Sequence, residues 1–406
     1  MRFRNLADAE VKGKRVLVRV DLNVPMRDGQ VADATRIAEI VPTITALADK
    51  GGKVILLSHL DRPRGRDPQF SLRPVAAEVA RIVQRPVAFA EDCIGPQAEA
   101  AIAAMREGDI LCLENTRFHP EEEKRDVTFA RKLAALGDIF VDDAFSVAHR
   151  AHAANTAIVT VSDLPAYPGF AMQAELDALN KAFETPEHPV AAIVGGAKIS
   201  TKLELLGHLL AKVETLIIGG GMANTFLAAQ GKPIGKSLCE HNLVPNARDI
   251  LAKAKSLNRE VVLPVDAVVA QKFAEHAPSR VVPVEDVGPT DMILDIGPRT
   301  VEYVVSVLAR TKTLVWNGPF GAFEFEPFDN GTVEVAEAVA ELTEAGRLVS
   351  FAGGGDTVAA LNAASVTSRL THVSTGGGAF LESLEGRTLP GVQVLLLSET
   401  PAAPRR

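Results

Sequence analysis

The chain has 406 residues, a formal net charge of -8, 47% hydrophobic residues and 23% charged residues. Its length exceeds the roughly 250 to 300 residues at which a single core stops growing, so two domains are expected. The acidic balance argues against general affinity for nucleic acid or anionic membrane, and leaves room for a local basic patch that gathers a small anion.

The N-terminal stretch MRFRNLADAEVKGK has no apolar signal region, and no window reaches the roughly 18 unbroken apolar residues of a membrane span, which predicts a cytoplasmic protein. Short apolar runs follow at Arg15 to Val20, Lys53 to Ser58, Asp109 to Glu114 and Asp138 to Phe145. Helical patterns lie between them at Thr35 to Lys50, Leu72 to Val83 and Val127 to Leu136, which is the rhythm of a parallel α/β sheet. Prolines 165, 168, 186 and 189 bracket a segment whose Met172, Leu176, Leu179 and Phe183 are spaced as on a helix. Beyond it the rhythm resumes with AAIVGG, TLIIGGG, REVVLP, KTLVWNG, RLVSFAGGG and THVSTGGG, and the chain ends in a Pro/Ala/Arg tail. Cys93, Cys112 and Cys239 form no C-x-x-C and read as buried free thiols in a reducing compartment. Glu121 to Glu123 reads as a solvated run, and Trp316 as core.

The second half carries four glycine clusters, each after an apolar strand: Gly195-Gly196, Gly219 to Gly221, Gly353 to Gly355 and Gly376 to Gly378. In an open parallel sheet the carboxyl ends of the strands share one edge, so these clusters converge backbone N-H groups on one polyphosphorylated ligand. In GGAKISTKL, Lys198 and Lys202 are spaced i and i+4, which on a helix puts both ammonium groups on one face. Asp356, just after the third cluster, is the metal candidate, since Mg²⁺ takes one or two carboxylates together with phosphate oxygens; its competing role is a helix N-cap. Asn317, Pro319 and Glu324 are further nucleotide contacts. The dinucleotide fingerprint G-x-G-x-x-G is absent, which weighs against a nicotinamide dehydrogenase, and GKPIGKS at 231–237 is one residue short of a P-loop.

The first half places basic residues past strand ends instead: Arg36, His59, Arg62, Arg117, His149, Arg150 and His152. Their forks and rings, converging on one edge, suit a small, strongly anionic substrate, with Asp21 and Asn23 accepting from a hydroxyl on it.

RVDLNVP (19–25), SHLDRP (58–63), ENTRF (114–118), HRAH (149–152), GGAKISTKL (195–203), GGGMANTF (219–226), NGP (317–319), GGGDT (353–357) and STGGGAFLE (374–382) together resemble phosphoglycerate kinase, from about residue 15 to about 392. The resemblance implies an α/β protein of two Rossmann-like lobes, each a parallel sheet flanked by helices. It places an N-terminal lobe over 1–170 with the tail 390–406 packing back on it, an interdomain hinge helix over 171–185 and a C-terminal lobe over 186–389. It implies Mg²⁺-dependent phosphoryl exchange between ATP and the carboxylate of 3-phosphoglycerate, giving ADP and 1,3-bisphosphoglycerate, in a cytoplasmic monomer that closes about the hinge helix. Asp21, Asn23, Arg36, His59, Arg62, Arg117, Arg150 and His152 are then the phosphoglycerate contacts. Gly196, Lys198, Lys202, Gly220, Asn317, Pro319, Glu324, Gly353, Gly354, Gly355, Asp356 and Thr357 hold the nucleotide, with Asp356 on the metal. Arg36, Lys198, Lys202 and the N-H groups of Gly376, Gly377 and Gly378 are the catalytic groups. The alternative is a non-catalytic, two-lobed anion-binding relative. Three departures stand out: Asp61 where the family has glycine, Ser146-Val147 for Gly-Thr, and Tyr167-Pro168-Gly169 for Ala-Ala-Gly.

Overall fold

The computed structural model describes residues 2–397. Of these, the residues up to Leu176 and those from Thr388 onward form one compact unit, and Asp177–Arg387 forms the other. The boundary falls inside one helix, Phe170–Phe183, over the segment where the sequence spacing predicts it.

The first unit is built on six parallel strands: β1 (Arg15–Arg19), β2 (Lys53–Leu57), β3 (Val87–Ala90), β4 (Ile110–Leu113), β5 (Ile139–Asp142) and β6 (Ala166–Pro168), in the spatial order β3-β4-β2-β1-β5-β6. Pro168, which has no N-H to give a ladder, is accommodated because β6 is an edge strand. Helix α1 (Thr35–Asp49) buries Ile37, Ile40, Ile44 and Leu47, the spacing of one helical face, against Val16, Val18, Val54 and Leu56 of the sheet. Each of these side chains contributes roughly 2 kcal/mol by leaving water. Strands β2, β3 and β4 lie on one side of β1, and β5 and β6 on the other, so the chain crosses over at β1, and in open α/β sheets ligands bind at the carboxyl ends beside such a point.

The second unit repeats the plan with β7 (Val190–Val194), β8 (Thr215–Ile218), β9 (Glu260–Val262), β10 (Thr313–Asn317), β11 (Val349–Gly353) and β12 (His372–Ser374), all parallel, in the order β9-β8-β7-β10-β11-β12. Every residue of β7 and β10 is buried, which is why these strands read as unbroken apolar runs: helices cover both faces of a parallel sheet. An antiparallel three-stranded sheet (Asp266–Ala270, Ser279–Pro283 and Met292–Ile296) is inserted between β9 and β10.

The tail predicted to return to the first unit is described as far as residue 397. Within that length, the Gly391 N-H donates to the Ala148 carbonyl at 2.8 Å and the Leu397 N-H to that of Arg2 at 2.9 Å. Residues 398–406 lie outside the described residues.

Candidate functional site

In the first unit the predicted basic residues gather past the carboxyl ends of β1, β2, β4 and β5. At the centre is Arg19, the last residue of β1, which is 1% exposed and lies with its Nη2 3.0 Å from His59 Nδ1. A guanidinium only donates, so Nδ1 is the accepting nitrogen and the neutral ring carries its proton on Nε2. Burial first, then the charges of Arg19 and Arg117, hold His59 well below the ordinary histidine range. His152 is pushed down to about 4 by burial, Arg117, Arg19 and Arg150. Both rings are therefore neutral at pH 7, and an anion placed among these cations would reverse the sign of that field.

The rim is a connected network. Arg36 Nη1 lies 3.0 Å from Asp21 Oδ2 and donates to the Asn23 carbonyl at 2.8 Å, and the Ser146 hydroxyl donates to the same Asp21 oxygen. The Asp61 N-H donates to Asn23 Oδ1 at 2.8 Å, while its carbonyl accepts from Arg117 Nη1 at 2.7 Å. Asp61 makes both bonds at φ 52, the left-handed region where a glycine is at ease and a side chain is strained. Arg62 is exposed and Arg150 half-buried, with Arg150 Nε 3.3 Å from His149 Nε2.

In the second unit the glycine clusters lie at the carboxyl ends of β7, β8, β11 and β12. Several of their glycines are required by close approach: a Cβ on Gly220 would lie 2.6 Å from the Gly196 nitrogen, one on Gly195 would overlap the Pro319 carbonyl oxygen, and one on Gly353 would meet the Phe380 ring, whereas Gly355 and Gly377 have open space around them. Asn317, which ends β10, ties the turns together. Its Nδ2 donates to the Gly353 carbonyl at 2.8 Å and its Oδ1 accepts from Lys202 Nζ, while the Gly318 N-H donates to Thr357 Oγ1 at 2.7 Å. Two helices, α2 (Gly220–Ala229) and α3 (Gly355–Ala363), start directly after β8 and β11; in α2 the Gly220 and Met222 N-H groups are taken by the Phe320 and Gly196 carbonyls at 2.8 and 3.0 Å, while the first turn of α3 opens toward that edge. The exposed Asp356 carboxylate is close enough to Lys202 to favour its charged form against the burial that lowers its pKa. Gly376 donates to Ser374 Oγ at 3.0 Å, Gly377 has φ 52, and Gly378 opens the short helix Gly378–Leu384. Lys198 and Glu324 are exposed.

Several expectations are corrected. Lys198 and Lys202 do not share a helix: Ile199–Thr201 is a 3-10 turn, and both lysines flank it in non-helical conformations, before the helix Leu203–Lys212. Ser200 donates its N-H and hydroxyl to Glu240, and the Thr201 hydroxyl bonds back to the Lys198 carbonyl, so local side-chain bonds outcompete the helix. Asp356 is not an N-cap; Gly354 holds that position. Glu122 is not solvated but fully buried, accepting the Ala154 N-H at 3.0 Å, and burial raises its pKa. Cys239 is half-buried rather than buried. Sequence reasoning also passed over Arg19. The available signal was a charged residue in RVLVRV, where both neighbours are core valines.

The phosphoglycerate kinase family profile matches residues 6–387. Relatives called phosphoglycerate kinase include those of Rhodopseudomonas palustris, 60% identical over 97% of this chain and 98% of the relative, and Azorhizobium caulinodans, 61% identical over 97% and 99%. Among solved structures, phosphoglycerate kinase from Coxiella burnetii superposes with a TM-score of 0.89 at 40% identity, covering 97% of this chain and 98% of that one. The enzyme from Pyrococcus horikoshii gives 0.82 at 31%, with the same coverage. With its paired parallel sheets, its cationic strand ends in one unit and its glycine turns in the other, the chain belongs to the phosphoglycerate kinase family.

Proposed function

We propose that this chain catalyses reversible phosphoryl transfer between ATP and the carboxylate of 3-phosphoglycerate, giving ADP and 1,3-bisphosphoglycerate. The observation that carries the reading is the division of labour: one unit offers buried and half-buried cations, the other close-set glycine turns at its strand ends with the N-terminus of α3 among them. On this reading Arg36, His59, Arg62, Arg117, Arg150 and His152 bind phosphoglycerate, with Asp21 and Asn23 on its hydroxyl. The lobes are 1–170 with the returning tail, and 186–389, with 171–185 as the interdomain helix.

The acceptor carboxylate is ionised at pH 7, so no general base is needed, and the protein's task is alignment and charge neutralisation. Gly196, Gly220, Asn317, Pro319, Glu324, Gly353 to Gly355 and Thr357 hold the nucleotide. Lys202, Lys198, Arg36 and the N-H groups of Gly376 to Gly378 meet the negative charge of the transferring group. Asp356 fits Mg²⁺: it is an exposed hard oxygen donor beside a glycine turn suited to phosphate. When bound, Mg²⁺ would neutralise phosphate charge. Among the described residues no helix is long and apolar enough to cross a membrane; a cytoplasmic monomer remains our reading.

The test is ADP formation from Mg-ATP with and without 3-phosphoglycerate, with the acyl phosphate removed by a coupled reaction. Phosphoglycerate-dependent turnover is expected; retained ATP binding without it would leave a non-catalytic anion-binding protein.

A further inference from the structure

A second cluster of reactive side chains lies in the first unit, where the loop after β3 meets the turn after β4. Asp92 and Cys93 come from the first and His119 from the second, and their donor atoms all lie within 4.8 Å of one another. His119 Nε2 is 2.7 Å from Asp92 Oδ1, which also accepts the Cys93 N-H at 2.7 Å, while Arg66 holds the other oxygen at 2.9 Å. The cluster is reachable at one side and closed at the other: the Asp92 and His119 side chains are each 25% exposed, and Cys93 is fully buried.

We propose that Asp92, Cys93 and His119 form a binding site for one thiophilic divalent cation of the Zn²⁺ class, with a water completing a tetrahedron. The donor set is one soft sulfur, one imidazole nitrogen and one carboxylate oxygen, which selects Zn²⁺ or Co²⁺ over Mg²⁺. Tetrahedral donors at 2.0 to 2.3 Å from the ion stand roughly 3.3 to 3.8 Å apart, so the Asp92–His119 bond opens by about half an ångström while Cys93 draws in. Arg66 leaves Oδ1 available, which permits monodentate ligation. The surrounding field suits a cation: after burial, the charges of Asp92, Glu122 and Glu114 raise the Cys93 thiol, and Glu122 Oε1 is a buried oxygen with no hydrogen-bond partner. A cation replaces the thiol proton, which is released, and His119 moves its ring proton to Nδ1. Bound there, the ion would tie the loop after β3 to the turn that carries Arg117.

Co²⁺ titrated into untagged, reduced, chelator-treated protein tests this through the thiolate-to-cobalt absorption band in the near ultraviolet. Saturation at one equivalent is expected, with the band competed away by Zn²⁺ but not by Mg²⁺. Cys93→Ser should abolish the band and Cys239→Ser should keep it, the control being needed because Cys239 Sγ lies 3.8 Å from His241 Nδ1. Should Cys93→Ser fail to fold, His119→Gln decides, since it keeps the thiol and should weaken Co²⁺ at least about tenfold. The proposal is overturned by no band in the wild-type protein, by a band that survives Cys93→Ser or follows Cys239, or by unchanged affinity in His119→Gln.

Discussion

The two units are both built on six-stranded parallel sheets, and on the proposed reading they solve the same problem, binding an anion, with opposite materials. The first surrounds its site with side-chain charge, paid for in desolvation: Arg19 is buried, Arg117 has its pKa lowered by burial, and His59 and His152 are held neutral. The second works with backbone, and where its turns touch, at Gly195, Gly220 and Gly318, the constraint is steric, since there is no room for a Cβ. The contrast implies different fragility. A side chain can be trimmed at the cost of its own contacts, whereas a methyl added to a glycine turn displaces two strand ends.

Gly195→Ala should therefore have the largest effect. Its new Cβ meets the Gly318 and Pro319 backbone rather than a yielding side chain, so nucleotide binding measured by calorimetry should be lost or weakened by more than about 100-fold. Near-normal binding would show that the strand ends can move apart, and the steric half of the contrast would fail.

Lys202→Ala comes next. Its ammonium is bonded to Asn317 and feels the Asp356 charge, and in its proposed role as a donor to the transferring group its loss should lower kcat by about 10²- to 10³-fold, with a smaller change in ATP affinity. An unchanged kcat would confine it to ground-state binding. In the other unit, Arg36→Ala should depress the use of phosphoglycerate; a change confined to ATP would reverse the assignment of substrates to units.

How far these features can be read in advance depends on how local their causes are. The buried strands are legible because a parallel sheet demands continuous apolar runs, and the glycine clusters because their positions after those runs have one economical explanation. The lysine pair misleads because the turn between them is fixed by Glu240, 40 residues away. Glu122 misleads because the Ala153–Ala154 backbone that covers it arrives 32 residues later. Arg19 is visible as a charge in a core strand, but its grip on His59 needs the β1–β2 register.

The histidines offer a smaller effect with a definite sign. With a folded pKa of about 4 against an ordinary value near 6.5, His152 costs stability as pH falls through that range. Asp142 and Asp143, raised by burial to about 7 and about 6, act oppositely: their contribution is fully present below about pH 4 and lost as pH rises through those values. Stability thus mixes the two, and anion binding separates them. Sulfate, fully ionised throughout, should bind roughly three- to tenfold more tightly at pH 5.5 than at 7.5, with proton uptake visible as buffer-dependent heats. His152→Ala should reduce that uptake; binding indifferent to pH would mean that the arginines alone hold the anion.

An effect of similar size concerns Asp61, where the two materials meet: a side chain occupying a backbone conformation suited to glycine, in a site otherwise built from charge. Its backbone bridges Asn23 and Arg117, so the conformation has to be kept, and its carboxylate, which accepts the Arg62 N-H at 2.9 Å, adds a negative charge beside an anion site. Asp61→Gly keeps both backbone bonds and relieves the strain at φ 52, while removing the charge. The KM for 3-phosphoglycerate should fall by about three- to tenfold at low ionic strength, with kcat nearly unchanged, and the gain should shrink as salt screens the exposed carboxylate. Asp61→Asn divides the causes, since it removes the charge and leaves the strain. If Asn reproduces the gain, repulsion is the reason; if only Gly does, the backbone is; and a rise in KM with both would mean that the carboxylate, through the Arg62 N-H, helps to hold the loop in its binding shape.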